Sequence, residues 1–466
     1  MNLTLKEVYK VFNKKFELQR DEYISGISVD TRTMKPGNVF FAIKGENTDG
    51  HNYIREAFDK GAILVVAEKY QDKKIINVKD TKQALLKLAH YYLEKMKNLK
   101  VFAITGSNGK TTVKEILYRI LTERIKKRYV LKSQKSFNNK IGIPLTIFKL
   151  NKNHKILVLE IGMNRMGEIK EIMDFIKIDV AVITNIGTSH IGLLKSRDNI
   201  AKAKAEIFHG LRKGGLAILN KDSDYYDFLF ERVRRLNKKI KILNFGFSKN
   251  ADFRITDVFN SDKKLIFTLN FKKKKENIET KLPGNHNALN IAAAAAAATY
   301  ENISLLQIKK AMKNFTLKSM MRLEKKKVKG ITIIQDCYNA NPDSFKVALQ
   351  FLKDGGFKNI IAVIGDMYEL GNYTRKFHTE IGRLLTTVEL KKLIITGKYS
   401  NYYYKGFINA GGKNDMVKIF GFNRQKQIGN YITKIIKMGD TLFLKGSRKN
   451  KLENILNNLS FVYKRR

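Results

Sequence analysis

The chain has 466 residues, 43% of them hydrophobic, with four prolines, one cysteine and a formal net charge of +46. At roughly 150 residues per domain, this length suggests about three domains. The apolar content excludes a disordered chain, and the lone Cys337 excludes an internal disulfide and cysteine-based zinc spacing.

The first hundred residues mix short strands and helices. "GNVFFAIKG" at 37–45 reads as a strand between glycines, and "YIREAFDKGAILVVAEK" as helix, glycine stop and buried strand. "QALLKLAHYYLEKMKNLK" reads as an amphipathic helix ending near residue 98, which sets a first domain as 1–98. From residue 99 the pattern becomes strand, loop, helix. "VFAIT" is a continuous apolar run of the kind that parallel, doubly covered strands show. Val113, Ile116, Leu117, Ile120 and Leu121 then follow helical spacing. "ILVLEIG" at 156–162 and "VAVITNIG" at 180–187 are further buried strands with polar tips, where open α/β sheets place their sites. "LPGNHNALNIAAAAAAATY" at 282–300 turns from loop into an alanine-rich helix. A second boundary falls near 315, giving a central domain 99–314. In the remainder, 315–466, "ITIIQD", "IIAVIGD", "LIITG" and "TLFLKG" repeat the buried strand with a polar or glycine tip. The fold class predicted is therefore α/β in three domains: a small N-terminal domain, a central parallel-sheet domain that opens on a strand, loop and helix, and a C-terminal Rossmann-like domain.

A field of +46 attracts anions of any kind, nucleic acid included. The lysines are spread along the whole chain, with short runs at 271–276 and 324–329 but no long basic arm, and no RNA-binding aromatic signature or helicase motif series is present. No specific nucleic-acid partner is expected, although a basic nucleic-acid-binding ATPase remains the alternative from a different class. The longest apolar run, from Ile291, is far shorter than the about 20 residues that span a bilayer. No membrane insertion is expected, and a reducing cytoplasm fits the cysteine usage.

"AITGSNGKTT" at 103–112 carries the chemistry. A general phosphate loop needs a glycine five residues before Gly109, and that position is Ile104. Gly106 supplies it from a shorter distance. Strand, loop and helix still stand in the order a phosphate cradle requires, with glycines that turn backbone N–H groups toward an anion and a helix N-terminus behind them. Thr105, Gly106, Ser107, Asn108, Gly109, Lys110, Thr111 and Thr112 are the candidate ATP contacts, with Lys110 reaching the phosphates and a threonine hydroxyl on Mg²⁺.

The compact form T-G-x-N-G-K-T resembles the Mur ligase family, the ATP-dependent amide-bond formers that build the peptidoglycan stem peptide. The resemblance runs over essentially the whole chain and implies ATP and Mg²⁺ as cofactors. Glu160 in "VLEIGMNRMGEI" and His190 in "NIGTSHIGLL" match metal-site positions, together with Thr111. Lys204 in "SRDNIAKAKAEIF" matches the family's modified lysine, which CO₂ can carbamylate when the amine is neutral. Asn287 and Asn290 match the adenine contacts, Arg322 an arginine on ATP phosphate, and Asp336 a carboxylate on the ribose. The catalytic set so implied is Lys110, Lys204, His190 and Arg322. One departure is Met321, where the family often has glycine before that arginine.

Several segments resemble the branch that adds D-alanyl-D-alanine to UDP-N-acetylmuramoyl-tripeptide: "YNANPDS" at 338–344, "IGDMYELG" at 364–371, "EIGMNRMGEI" at 160–169 and "KGSR" at 445–448. A sister ligase adding a single amino acid is the alternative within the family. The N-terminal "SVDTRTMKPGNVFFAIKGENTDGH" resembles a uridine-nucleotide segment, with Asp30, Thr31, Arg32, Lys44, Asp49 and His51 near UDP. Asn138 and Asn139 match a loop under the muramoyl tripeptide, and Asn339, Asn341 and Ser344 line the implied dipeptide pocket. The resemblance also implies a monomer.

Overall fold

The computed structural model describes residues 1–16, 20–70, 72–134, 137–236, 239–261, 264–317 and 321–459. Three sheets follow one another along the chain. The first has four parallel strands in sequence order, Gly26–Ser28, Asn38–Phe41, Leu64–Ala67 and Ile75–Asn77. Its two middle strands are buried throughout, which is why they read as unbroken apolar runs. Helix Thr81–Glu94 packs Leu85, Leu88, Ala89 and Tyr92 inward, at the spacing of one helical stripe. Asp80 caps its start, accepting from the N–H groups of Lys82 and Gln83. Tyr92 then donates its hydroxyl to Leu150 O at 2.7 Å, tying this first layer to the central one.

The central sheet has nine strands. In spatial order they are Lys274–Thr280, Leu265–Phe271, Phe253–Asn260, Lys241–Gly246, Leu211–Asn220, Ile178–Ile183, Lys100–Thr105, Ile156–Glu160 and Val130–Lys132. The seven from Phe253–Asn260 onward run parallel, and the remaining two complete an antiparallel edge. From Lys100–Thr105 the chain first goes to one side and then to the other. The tip of that strand is thus the point where strand order reverses, the usual ligand position in an open α/β sheet. Helices Lys110–Arg124 and Asn285–Ala298 share one apolar core against this sheet. The alanine run is fully buried there, so its small side chains serve close approach as well as helix propensity.

The third sheet is ordered Glu324–Val328, Ile331–Asp336, Thr441–Lys445, Ile360–Gly365, Leu390–Thr396 and Val417–Phe420. All its pairings are parallel except the first hairpin. The two lysine runs now have a structural reading. Residues 324–328 form an edge strand whose lysines face solvent, and 271–276 span the turn into the edge strand of the central sheet. Lysines on a sheet edge discourage pairing with another chain. No helix among the described residues is long and apolar enough to cross a membrane.

Candidate active site

The loop after Lys100–Thr105 is built around two glycines. Gly106 has φ +150°, and a methyl group there would lie 1.9 Å from Thr184 Oγ1. Gly109 has φ +83° as N-cap of helix Lys110–Arg124, and a methyl group would lie 2.5 Å from Asn290 Oδ1. Both positions need φ that favours glycine, and both are crowded. The tip of the neighbouring strand holds the loop in place. Thr184 Oγ1 donates to Asn108 O at 2.5 Å, Asn108 N donates to Asn185 Oδ1 at 3.0 Å, and Gly187 N donates to Ser107 Oγ at 2.8 Å. Asn185, which the sequence reading passed over, is therefore a loop-supporting residue; its signal was its place at a strand tip.

Lys110 Nζ donates to Gly106 O at 2.6 Å and to Ser107 O at 3.3 Å. Burial draws its pKa down to about 8; the Glu160 charge opposes this and Arg322 adds to it. An ammonium surrounded by loop carbonyls, at the mouth of a helix N-terminus, is an electrostatic fit for phosphate.

Two cavities meet at this lysine. The larger, of about 840 Å³, is lined by the loop from Ser107 to Thr112, by Asn287, Asn290, Arg322 and Asp336, and by Asn339, Asn341 and Ser344. The smaller, of about 440 Å³, is lined by Glu160, His190, Asn138 and Asn139, with Glu46 and Lys82 reaching in from the first layer. Lys110, Arg322 and Asn339 line both. Residues from all three sheets' surroundings thus converge on one centre.

Glu160 is buried. Its Oε1 accepts from Asn138 Nδ2 at 3.0 Å, whereas its Oε2 lies 3.6 Å from Lys114 Nζ and has no hydrogen-bond partner. A buried carboxylate oxygen with an unused lone pair suits a hard cation. The described residues contain no group of three or more His, Cys, Asp and Glu side chains placed to hold a metal, so a protein-only cage is not formed. Mg²⁺ does not need one, since it is commonly held by one or two carboxylates together with substrate phosphates. The residues present therefore fit that ion. Lys204 is buried on helix Arg197–Ala205 and lines neither cavity. Burial, with the Lys110 charge as a second cause, holds its amine well below the usual lysine range.

Arg322 stacks its guanidinium 4.5 Å above the ring of Tyr338. The residues on either side, Met321 and Leu323, have φ +46° and +50°. The backbone at Met321 thus adopts a left-handed conformation that glycine takes more readily, although the chain carries methionine there. Asp336 forms an ion pair with the fully buried Lys445. Asn287 donates to Pro283 O at 2.7 Å and accepts from Asn290 Nδ2 at 3.1 Å.

Asn341 and Ser344 spend their side chains on structure. Asn341 is the N-cap of helix Pro342–Asp354, in a reciprocal capping box with Ser344. Its Nδ2 also donates to Asn108 Oδ1 at 2.9 Å and to Ser189 Oγ at 2.7 Å, fastening the C-terminal helix to the phosphate loop. The neighbouring Asp343 accepts from Thr188 N at 2.6 Å and Thr188 Oγ1 at 2.8 Å, and only a glycine at 187 leaves room for it. Asn339 Oδ1 accepts from Ala340 N at 2.9 Å.

The residues assigned to UDP line neither cavity, although Glu46, between Lys44 and Asp49, lines the smaller one. Asp30 pairs with the exposed Arg32 at 2.7 Å, and Thr31 O accepts from Lys60 Nζ at 3.1 Å. Asp49 accepts from His51 N at 3.0 Å and lies 2.6 Å from His51 Nδ1, and a β-bridge pairs it with Lys44. These contacts rigidify two neighbouring turns.

Comparison with known proteins bears on these features. Three family models match successive parts of the chain: "Mur ligase family, catalytic domain" over residues 23–98, "Mur ligase middle domain" over 104–298, and "Mur ligase, glutamate ligase domain" over 321–448. The UDP-N-acetylmuramoyl-tripeptide–D-alanyl-D-alanine ligase of Bacillus subtilis is 33% identical over 94% of this chain and 93% of its own. The crystal structure of MurF from Acinetobacter baumannii superposes with a TM-score of 0.87 at 29% identity, covering 98% of each chain. MurF from Thermotoga maritima, solved in complex with ADP, gives 0.79 at 26% identity over 93% of this chain and 96% of that one.

Proposed function

This chain belongs to the Mur ligase family, and on that premise we propose that the two cavities meeting at Lys110 are its ATP and acceptor sites. The protein is an ATP-dependent amide-bond-forming ligase that joins D-alanyl-D-alanine to UDP-N-acetylmuramoyl-tripeptide. The observation that carries the site assignment is the shared wall: Lys110, Arg322 and Asn339 face both cavities. A reaction joining ATP to a carboxylate needs such a common boundary.

ATP lies in the larger cavity, its phosphates on the loop amides and Lys110, its base toward Asn287 and Asn290 and its ribose toward Asp336. The tripeptide's terminal carboxylate enters from the smaller cavity beside Asn138 and Asn139, while the uridine end reaches toward Asp30, Thr31, Arg32, Lys44, Asp49 and His51. Lys110 and Arg322 offset the repulsion between carboxylate and γ-phosphate. The carboxylate oxygen attacks the γ-phosphorus, the bond to the β-phosphate oxygen breaks, and ADP departs. The amine of D-alanyl-D-alanine, held near Asn339, attacks the acyl carbon. Phosphate leaves, the amine proton is lost to solvent, and the amide remains. Asn341 and Asp343 hold the C-terminal layer against the loop and so help keep water from the acyl phosphate. Glu160 and Thr111, with His190 and a carbamylated Lys204, would hold Mg²⁺, which supplies neutralising charge at the phosphates. Burial, which pushes the Lys204 amine well below the usual lysine range, favours the neutral form that carbamate formation requires.

The test is phosphate release from ATP with UDP-N-acetylmuramoyl-tripeptide, with and without D-alanyl-D-alanine. Release that needs both, gives the pentapeptide product and disappears in Lys110→Ala supports the assignment. Release driven by a single amino acid would replace it with a sister activity.

A further inference from the structure

Beyond the ATP site, the loop that follows strand Ile360–Gly365 reaches across to the central layer. Its Glu369 has φ +63°, and so does His190, the residue it meets. Residues with side chains seldom adopt this conformation, and pairs of them in contact point to a constraint worth holding. Glu369 Oε2 lies 2.6 Å from His190 Nδ1, an ion-pair distance at which the buried Nδ1 makes no hydrogen bond, so that small turns of the ring decide where its N–H points. The backbone fixes the approach. Gly192 N donates to Glu369 O at 2.9 Å, and a methyl group on Gly192 would lie 2.4 Å from Gly371 N. Tyr373 donates its hydroxyl to Lys195 O at 2.9 Å. The other charge facing Glu369 is Lys449.

We infer that Glu369 is a positioning residue for His190, so that docking of the C-terminal layer on the central one sets the imidazole's orientation and tautomer. When Nδ1 carries the hydrogen toward Glu369, Nε2 is left with its lone pair. His190 lines the same cavity as Glu160 and Lys110, where such a lone pair is of use. A carboxylate behind a working histidine is a recurrent way of fixing its ring. Here that carboxylate comes from a different sheet, so the histidine is correctly set only while the two layers touch. The inference rests on the reading of His190 as a site residue.

The experiment uses full-length Glu369→Ala, Glu369→Gln and His190→Gln. Steady-state kinetics are read for ATP, tripeptide and dipeptide. Nitrogen-15 spectra of histidine-labelled protein are recorded alongside, with His190→Gln identifying the His190 signals. The expected result is a kcat lowered by about 10–100-fold in Glu369→Ala with little change in KM for ATP. Glu369→Gln, whose amide oxygen accepts the same hydrogen, recovers most of it. The His190 signals show the Nδ1–H form in the parent and Glu369→Gln, and move toward Nε2–H in Glu369→Ala. A parental kcat in Glu369→Ala while His190→Gln is inactive overturns the inference and leaves the site reading intact. So does equal loss in both Glu369 variants with an unchanged tautomer and a lower melting temperature, which marks a structural contact. Parental turnover in His190→Gln removes the site reading and this inference together.

Discussion

Replacing Gly106 with alanine tests whether the shortened phosphate loop works by close approach. The added methyl would sit 1.9 Å from Thr184 Oγ1, against the 3.4 Å at which ordinary van der Waals contact begins, a shortfall of 3.4 − 1.9 = 1.5 Å. Thr184 cannot easily turn away, because its hydroxyl is bonded to Asn108 O and its N–H to Thr105 O. The loop must therefore shift by something on the order of 1 Å, and displacements of that size can cost about 100-fold in rate. Stability falls as well, by about 1–3 kcal/mol for a side chain in a sparsely populated, glycine-favouring φ region and about 1–3 kcal/mol for overpacking. Phosphate release and thermal melting read the two effects. Adding Thr184→Ala removes the oxygen but leaves the Thr184 backbone N 3.2 Å from the methyl, so the double variant recovers part of the stability and little of the rate. Alanine at 106 with parental turnover and melting would show that the loop tolerates the methyl and that crowding does not explain its glycine.

Other outcomes follow from the same geometry. Lys204→Met removes a buried amine while keeping its volume, so the protein melts no lower than the parent yet loses ligase activity; a lower melting temperature with activity retained contradicts this. Asp343→Ala strands the Thr188 N–H and hydroxyl, costing about 1–3 kcal/mol in denaturant titration, and Asp343→Asn recovers most of it. His378 is fully buried, its Nδ1 2.7 Å from Thr374 O and its Nε2 accepting from Met367 N, and burial holds its pKa down to about 4. Unfolding exposes a histidine of ordinary pKa that takes up a proton, so this contribution is complete above about 6.5 and is lost as pH falls toward 4, by about 3 kcal/mol in all. Stability measured at pH 7 and pH 5 should differ less in His378→Gln than in the parent.

Much of the architecture was legible because parallel, doubly covered strands announce themselves. Val101–Thr105, Ile156–Glu160, Ile360–Gly365 and Thr441–Lys445 are short apolar runs ending in polar residues or glycine, and each proves to be a buried strand. Strands Phe253–Asn260, Leu265–Phe271 and Lys274–Thr280 were not read. They alternate buried Phe253, Ile255, Phe267, Leu269 and Ile278 with half-buried or exposed, mostly polar residues, a period-two signal distinct from a continuous apolar run. In the site, the phosphate loop was readable from local spacing. Asp343, Lys445 and Glu369 were not, because each acts on a residue more than a hundred positions away in sequence. Lys114 lay within reach of reading: it falls one helical turn after Lys110, on a helix already expected.

The place of Thr441–Lys445 in the third sheet has a bearing on synthesis. This strand lies between Ile331–Asp336 and Ile360–Gly365, pairing with both along its length. A ribosome makes the two neighbours first and the strand that joins them 445 − 365 = 80 residues later. At about 5–20 residues per second, that leaves roughly 4–16 s during which two apolar strands have no common partner. The nascent C-terminal region must wait, open-edged, while the central layer and its phosphate loop are already complete. Chaperone dependence of this protein is thus expected to concentrate in that interval.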